Sequence, residues 1–184
     1  MKVTKRKDPK YPKLVTLSDG RKIKVGRQSK FSTPWLRKHG CPFVSIFEVL
    51  QWLGIDTSGK YPYYQYKWAL AHCGKYIGAS LYIRGVLAVL KHYTKGKATL
   101  KYFAPKDITA KRITAYLKAG SMIIINRKPP HYYTLLMDNG KIYALRYKGC
   151  TVTKRSAKFI VATRGKNKNY GGMIVITKKK KAKK

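Results

Sequence analysis

The spacing of apolar positions changes along the chain, giving a mostly helical front part and a stranded back part. Leu14–Leu17 and Lys22–Val25 alternate on either side of Ser18-Asp19-Gly20-Arg21, which is a short hairpin signal. The stretch from Gly26 to Gly40, with Pro34 and several polar residues, has no period and reads as irregular. From Cys41 to Leu53 the apolar residues Val44, Phe47, Leu50 and Trp52 recur at helical spacing, and Gly54 supplies the stop. Two more helices are predicted near Tyr63–His72 and Leu81–Tyr93, followed by a short strand at Thr99–Phe103. Asp107 is the expected N-cap of a helix running to Lys118, with Gly120 ending it. Beyond Gly120 the period becomes two. Met122–Asn126, His131–Asp138 and Lys141–Lys148 read as strands, and Asp138-Asn139-Gly140-Lys141 is a tight-turn signal between the last two. Lys158–Thr163 and Met173–Thr177 are expected to complete the sheet.

Helices first and an antiparallel sheet afterwards define an α+β class, with the first helix headed by Cys41. A chain of 184 residues holds one proper core and no more. We assign residues 14–177 to a single domain, residues 1–13 to a basic N-terminal arm and residues 178–184 to a Lys-rich tail. Neither an internal repeat nor a linker interrupts the domain.

Composition adds a partner class to this picture. There are 42 Lys+Arg against 6 Asp+Glu, a formal charge of +36, while 44% of residues are hydrophobic and argue for a folded body. Such a surface repels itself and invites a polyanion: nucleic acid, an anionic cell-wall polymer, a membrane surface or an acidic protein. A host that tolerates Lys-rich surfaces is the bland alternative. Glu48 is the sole glutamate, which argues against paired-carboxylate hydrolysis and carboxylate metal sites. The three cysteines, Cys41, Cys73 and Cys150, show no zinc spacing and are too few for a disulfide framework. No cofactor motif is present. Without an apolar h-region or a membrane-length apolar run, the expected location is the cytoplasm or a particle.

The chemistry-bearing pair is Cys41 and His131. Cys41 heads a helix, where the helix dipole favours a thiolate and its own N–H is open to a developing oxyanion. His131 opens a later strand, the place from which a base reaches a nucleophile on a helix start. Cationic surroundings would lower the pKa of both groups. Singly, Cys41 also reads as a small buried residue and His131 as a loop histidine after Pro129-Pro130.

Trp35-Leu36-Arg37-Lys38-His39-Gly40-Cys41 with its helix, and Pro130-His131-Tyr132-Tyr133-Thr134-Leu135-Leu136 with the following hairpin, resemble the papain-like cysteine peptidases. The closest resemblance is to the compact bacterial branch related to bacteriocin-processing peptidases. This implies a papain-like fold, a bacterial or phage setting, a peptide or protein substrate, and amide hydrolysis through a thioester. It assigns Cys41 as nucleophile and His131 as base. The family's oxyanion glutamine is missing close before the cysteine, where Trp35 stands; the nearest upstream candidate is Gln28. The family's third member, an Asn or Asp beyond the histidine, has no counterpart in the expected place. Asp138, seven residues of strand away, lies about 23 Å from His131. With a two-residue turn at Asn139-Gly140, Lys148 falls opposite His131 and Arg146 on the same face. The site is therefore a Cys-His dyad, or a silent remnant in a particle-associated or nucleic-acid-binding protein.

The remaining candidates read as structural. His72 and Cys73 diverge on one helix, and His92 sits near a helix end. His39 is a surface or substrate-contacting residue, and Cys150 has no partner in its loop. The run Tyr61-Pro62-Tyr63-Tyr64-Gln65-Tyr66-Lys67-Trp68 is either core or a stacking platform for single-stranded nucleic acid. Glu48, seven residues after Cys41 on the same helix face, is expected to hold local structure through a basic partner.

Overall fold

Thr33-Pro34 opens the first helix of the chain, α1 (Pro34–His39). The Thr33 hydroxyl accepts from the Leu36 N–H, and proline takes the first helical position, where its missing N–H costs nothing. The computed structural model describes residues 1–31, 33–55, 61–78, 80–128, 131–146, 151–167 and 169–179. At Gly40 the chain turns from α1 into α2 (Cys41–Trp52). The Gly40 N–H donates to the Leu36 carbonyl, and its own carbonyl accepts from Phe43 and Val44. A Cβ at Gly40 would overlap the Leu36 carbonyl, so the joint between the helices needs glycine. Gly40→Ala is expected to cost about 2–3 kcal/mol through this overlap, read as a lower urea midpoint at unchanged m-value.

All of α2 is buried, as expected of a helix enclosed on every side. It packs on β6 (His131–Asp138) and β5 (Met122–Arg127), on β3 (Lys22–Val25), and on α3 (Tyr61–His72) and α4 (Ile83–Thr94). The larger sheet runs β4-β9-β5-β6-β7-β8, all neighbours antiparallel, with β4 at Ala98–Phe103, β7 at Lys141–Arg146, β8 at Thr151–Lys154 and β9 at Met173–Lys178. A smaller sheet, β1 (Lys2–Lys5), β2 (Lys13–Thr16) and β3, covers the other side of α2. Gln51 fastens it: its Oε1 accepts from the Lys24 N–H at 2.9 Å and its Nε2 donates to the Lys24 carbonyl at 3.1 Å. A side-chain amide thus occupies the place of a neighbouring strand.

Strand alternation sorts the core into two layers. Ile124, Tyr132 and Leu136 join the core around α2, while Ile123, Ile125, Tyr133 and Leu135 face α5 (Ala110–Lys118) and α6 (Ala157–Ala162) through Ile113, Leu117 and Ile160. The β6–β7 turn is as predicted, with Asn139 and Gly140 at φ 47° and 70°, the left-handed pair of a type I′ turn.

Three expectations need correction. The helix headed by Cys41 is the second, because Thr33-Pro34 starts α1 inside the stretch expected to be irregular. Thr109, not Asp107, caps α5, accepting from the Arg112 N–H at 3.1 Å; Asp107 belongs to a single 3-10 turn before it. Lys158–Thr163 is not a strand: Ser156 caps α6, and of its apolar run only Ile160 is buried. The edge strand is instead β8, which pairs with β7. The basic segment 1–13 carries a paired strand, β1, and the Met1 ammonium sits 2.6 Å from Asp138. Residues 180–184, most of the Lys-rich tail, lie outside the described residues.

Candidate cysteine site

Cys41 begins α2 with only 4% of its surface exposed. Burial pushes its thiol up to about 12, against the Tyr132 backbone N–H, its own N–H and the Ser80 hydroxyl, which favour the charged form. Desolvation therefore outweighs the helix start that was expected to favour the thiolate, and the resting group is a neutral thiol. The Ser80 hydroxyl donates its one proton to the His39 carbonyl at 3.0 Å, so it can favour a thiolate only by giving up that bond.

His131 opens β6, half-buried, with its Cα paired to Arg127. Tyr132, whose N–H meets the sulfur, is the next residue, so the strand's opening backbone lies against Cys41. In side-chain parity His131 follows Tyr133 and Leu135, which face α5, rather than Tyr132, which faces α2. Gln28 is 5% exposed in a 3-10 turn; its Nε2 donates to the Arg37 carbonyl at 3.0 Å, and its Oε1 is buried without a partner among the described residues. This holds the amide against the end of α1 that leads into Gly40-Cys41.

Asp138 is committed elsewhere, at the far end of β6. Burial acts against its charge, but the Met1 ammonium and the Ser18 hydroxyl (2.5 Å) and N–H (3.0 Å) take its pKa down to about 2. The β6–β7 register matches the predicted hairpin, but Lys148 lies outside the described residues, as does Cys150. Sequence reading passed over Asn126, which looked like one more strand position. It is buried opposite Tyr132, its Nδ2 has no partner among the described residues, and its Oδ1 lies where a Cβ of Gly165 would be.

The expected basic partner of Glu48 is replaced by neutral groups. Thr134 Oγ1 donates to Glu48 Oε2 at 2.7 Å, and the Gly26 N–H also faces the carboxyl. Burial pushes Glu48 up to about 8, so near neutral pH it is mostly an uncharged acid.

Among the other candidates, His72 Nδ1 lies 2.9 Å from the Trp68 carbonyl, and Trp68 is stacked between His72 and His92. Burial raises the Cys73 thiol. The aromatic helix divides its roles: Tyr66 stacks on Trp35, which also touches His39, while Tyr63 and Tyr64 are exposed. Among the described residues no group of three His, Cys, Asp or Glu side chains is placed to hold a metal ion, and no helix is long and apolar enough to cross a membrane.

No family model and no curated protein matches the chain. Six solved chains do match its structure. One is the double glycine motif protease from an AMS/PCAT transporter, solved in complex with the leader peptide. It superposes with a TM-score of 0.55 at 14% identity, over 86% of this chain and 94% of that one. The α+β fold, with helices on a large antiparallel sheet, is common to both.

Proposed function

We propose that the chain is a cysteine peptidase or amidase, with Cys41 as nucleophile and His131 as general base. The observation that carries this reading is the placement of the Cys41 sulfur against the Tyr132 N–H, one residue beyond His131, in a fold shared with a protease. The neutral thiol gives its proton to His131 as the sulfur attacks the substrate carbonyl, so charge develops only with the peptide in place. The Cys41 N–H stabilises the oxyanion, and Gln28 Nε2 joins it only by leaving the Arg37 carbonyl. The C–N bond then breaks, His131 returns the proton to the leaving amine, and water hydrolyses the thioester to regenerate the thiol. This requires the imidazole to turn towards α2 at the first residue of β6, against the parity of the strand.

The fold neighbour's substrate suggests where to look first, in peptides bearing a double-glycine motif. The +36 surface would hold the protein on an anionic scaffold while it acts. Incubation with such peptides and a degenerate peptide library, followed by mass spectrometry, tests the reading. Cleavage should vanish in both Cys41→Ala and His131→Ala, with each variant folded by circular dichroism. Cleavage that survives either substitution, or none in the wild type, rejects it.

A second reading, a papain-like fold with a silent site in a nucleic-acid-binding or particle-associated protein, is favoured by two observations. The resting thiol is held near 12, and the one carboxylate on β6, Asp138, is bound to Met1 and Ser18. In that case Cys41→Ala changes nothing measurable.

A further inference from the structure

We infer that the face of the large sheet opposite Cys41 carries a binding site for single-stranded nucleic acid, centred on Ser156 at the start of α6. It rests on the polyanion part of the reading above and is independent of the thiol chemistry. Two open grooves meet at Ser156. One runs between α5 and α6 and carries Lys111, Lys118 and Lys158; the other runs beside the β6–β7 turn and carries Lys141, Lys154 and Arg155. No carboxylate lines either groove. The cations in ion pairs among the described residues are Met1, Arg6 and Arg21, all elsewhere, so the field of these six is uncompensated. The first groove is otherwise lined by small side chains, Ala110, Thr114, Ala115 and Ala157, which let a polymer backbone come close.

Phe159 decides which polyanion. On α6, directly after groove residue Lys158, it leaves 47% of its surface exposed, and the Arg155 guanidinium lies 5.0 Å from its ring centroid. An exposed ring supported by arginine beside a cationic channel is a platform for an unpaired base. Duplexes hide their base faces and anionic wall polymers have none, so neither uses it. Because α5 and α6 cover the sheet face away from α2, a strand bound here does not lie over Cys41.

The test uses the full chain and a labelled thymidine oligonucleotide about 20 nucleotides long, with anisotropy read across a salt series. Lys111→Gln/Lys118→Gln/Lys158→Gln should weaken binding at least about tenfold and flatten the log–log salt slope by about 2. A control with equal charge loss on exposed α3 and α4 positions and the turn between them, Lys67→Gln/Lys75→Gln/Lys91→Gln, should change affinity less than about threefold. Phe159→Ser should weaken the oligonucleotide by about fivefold or more and leave inorganic polyphosphate binding unchanged. Equal losses in the two triple variants would overturn the site in favour of diffuse charge. A neutral Phe159→Ser, or a duplex that binds as well as the single strand, would overturn the choice of ligand. Peptide cleavage should be unchanged in all these variants, so this inference and the peptidase reading fail separately.

Discussion

Iodoacetamide at pH 8 is expected to alkylate Cys41 in the folded chain about 100-fold more slowly than in the unfolded chain. With the thiol moved from 9.0 to about 12, the thiolate fraction falls by about three orders of magnitude. The more basic thiolate is intrinsically more reactive, which returns roughly one order of magnitude. The folded rate should then keep rising tenfold per pH unit beyond the point where the unfolded rate levels off. Peptide mass spectrometry resolves the three cysteines, and Cys73, also raised by burial, should be slowed in the same direction. Rapid modification of Cys41 below pH 7 that disappears in His131→Ala would reverse the description, because it requires an ion pair already formed in the resting protein.

Glu48→Gln is expected to stabilise the protein at pH 8.5 by roughly 3–5 kcal/mol and to be close to neutral at pH 4.5. The folded state keeps the Glu48 proton up to about 8, whereas the unfolded chain releases it at 4.5. Between those values the folded state binds more protons than the unfolded, so stability falls as pH rises through the window. Glutamine preserves the acceptor for Thr134 and cannot ionise, which removes this dependence. Thermal melts from pH 4.5 to 9 should therefore show a declining wild-type profile and a flatter variant. Parallel profiles would mean that Glu48 finds compensation for its charge. The proposed effect is large because a lone carboxyl is enclosed with a hydroxyl and an N–H and, among the described residues, pairs with no cation.

Sequence made the central frame legible where one pattern excluded the others. Val44, Phe47, Leu50 and Trp52, with Gly54 as the stop, marked α2, and the Asn139-Gly140 turn fixed the register of β6 on β7. It was less legible where apolar pattern was short. Phe159-Ile160-Val161 suits either a strand or a helix turn, and the deciding feature was Ser156, a polar cap outside the run. The same oversight hid α1 behind Thr33. Electrostatic direction was the least accessible. Gly40-Cys41 shows a helix start, but only the enclosing core shows that desolvation overrides it. For Glu48, proximity to so many lysines and arginines suggested a cation, yet long basic side chains stay with water and the buried face was left to Thr134. At the candidate site, sequence singled out Cys41 and His131 by type and order and gave no sign of the buried Asn126 beside Tyr132, whose burial depends on pairing across the sheet.

The position of β9 sets the order in which this molecule can be assembled. It follows the other strands of its sheet along the chain, yet it lies between β4 and β5 and pairs with both. Until residues 173–178 have been synthesised, β4 remains separate from the β5–β8 ribbon, and Ile124 and Ile125 border an open sheet edge. Joining β4 to β9 closes a loop from Phe103 to Met173, a contact whose chain-entropy cost falls late in folding. A nascent chain therefore carries an unpaired, Ile-rich edge strand through much of its synthesis, the condition under which strand-to-strand association between copies competes with folding. The +36 charge opposes that encounter by keeping unfinished copies apart.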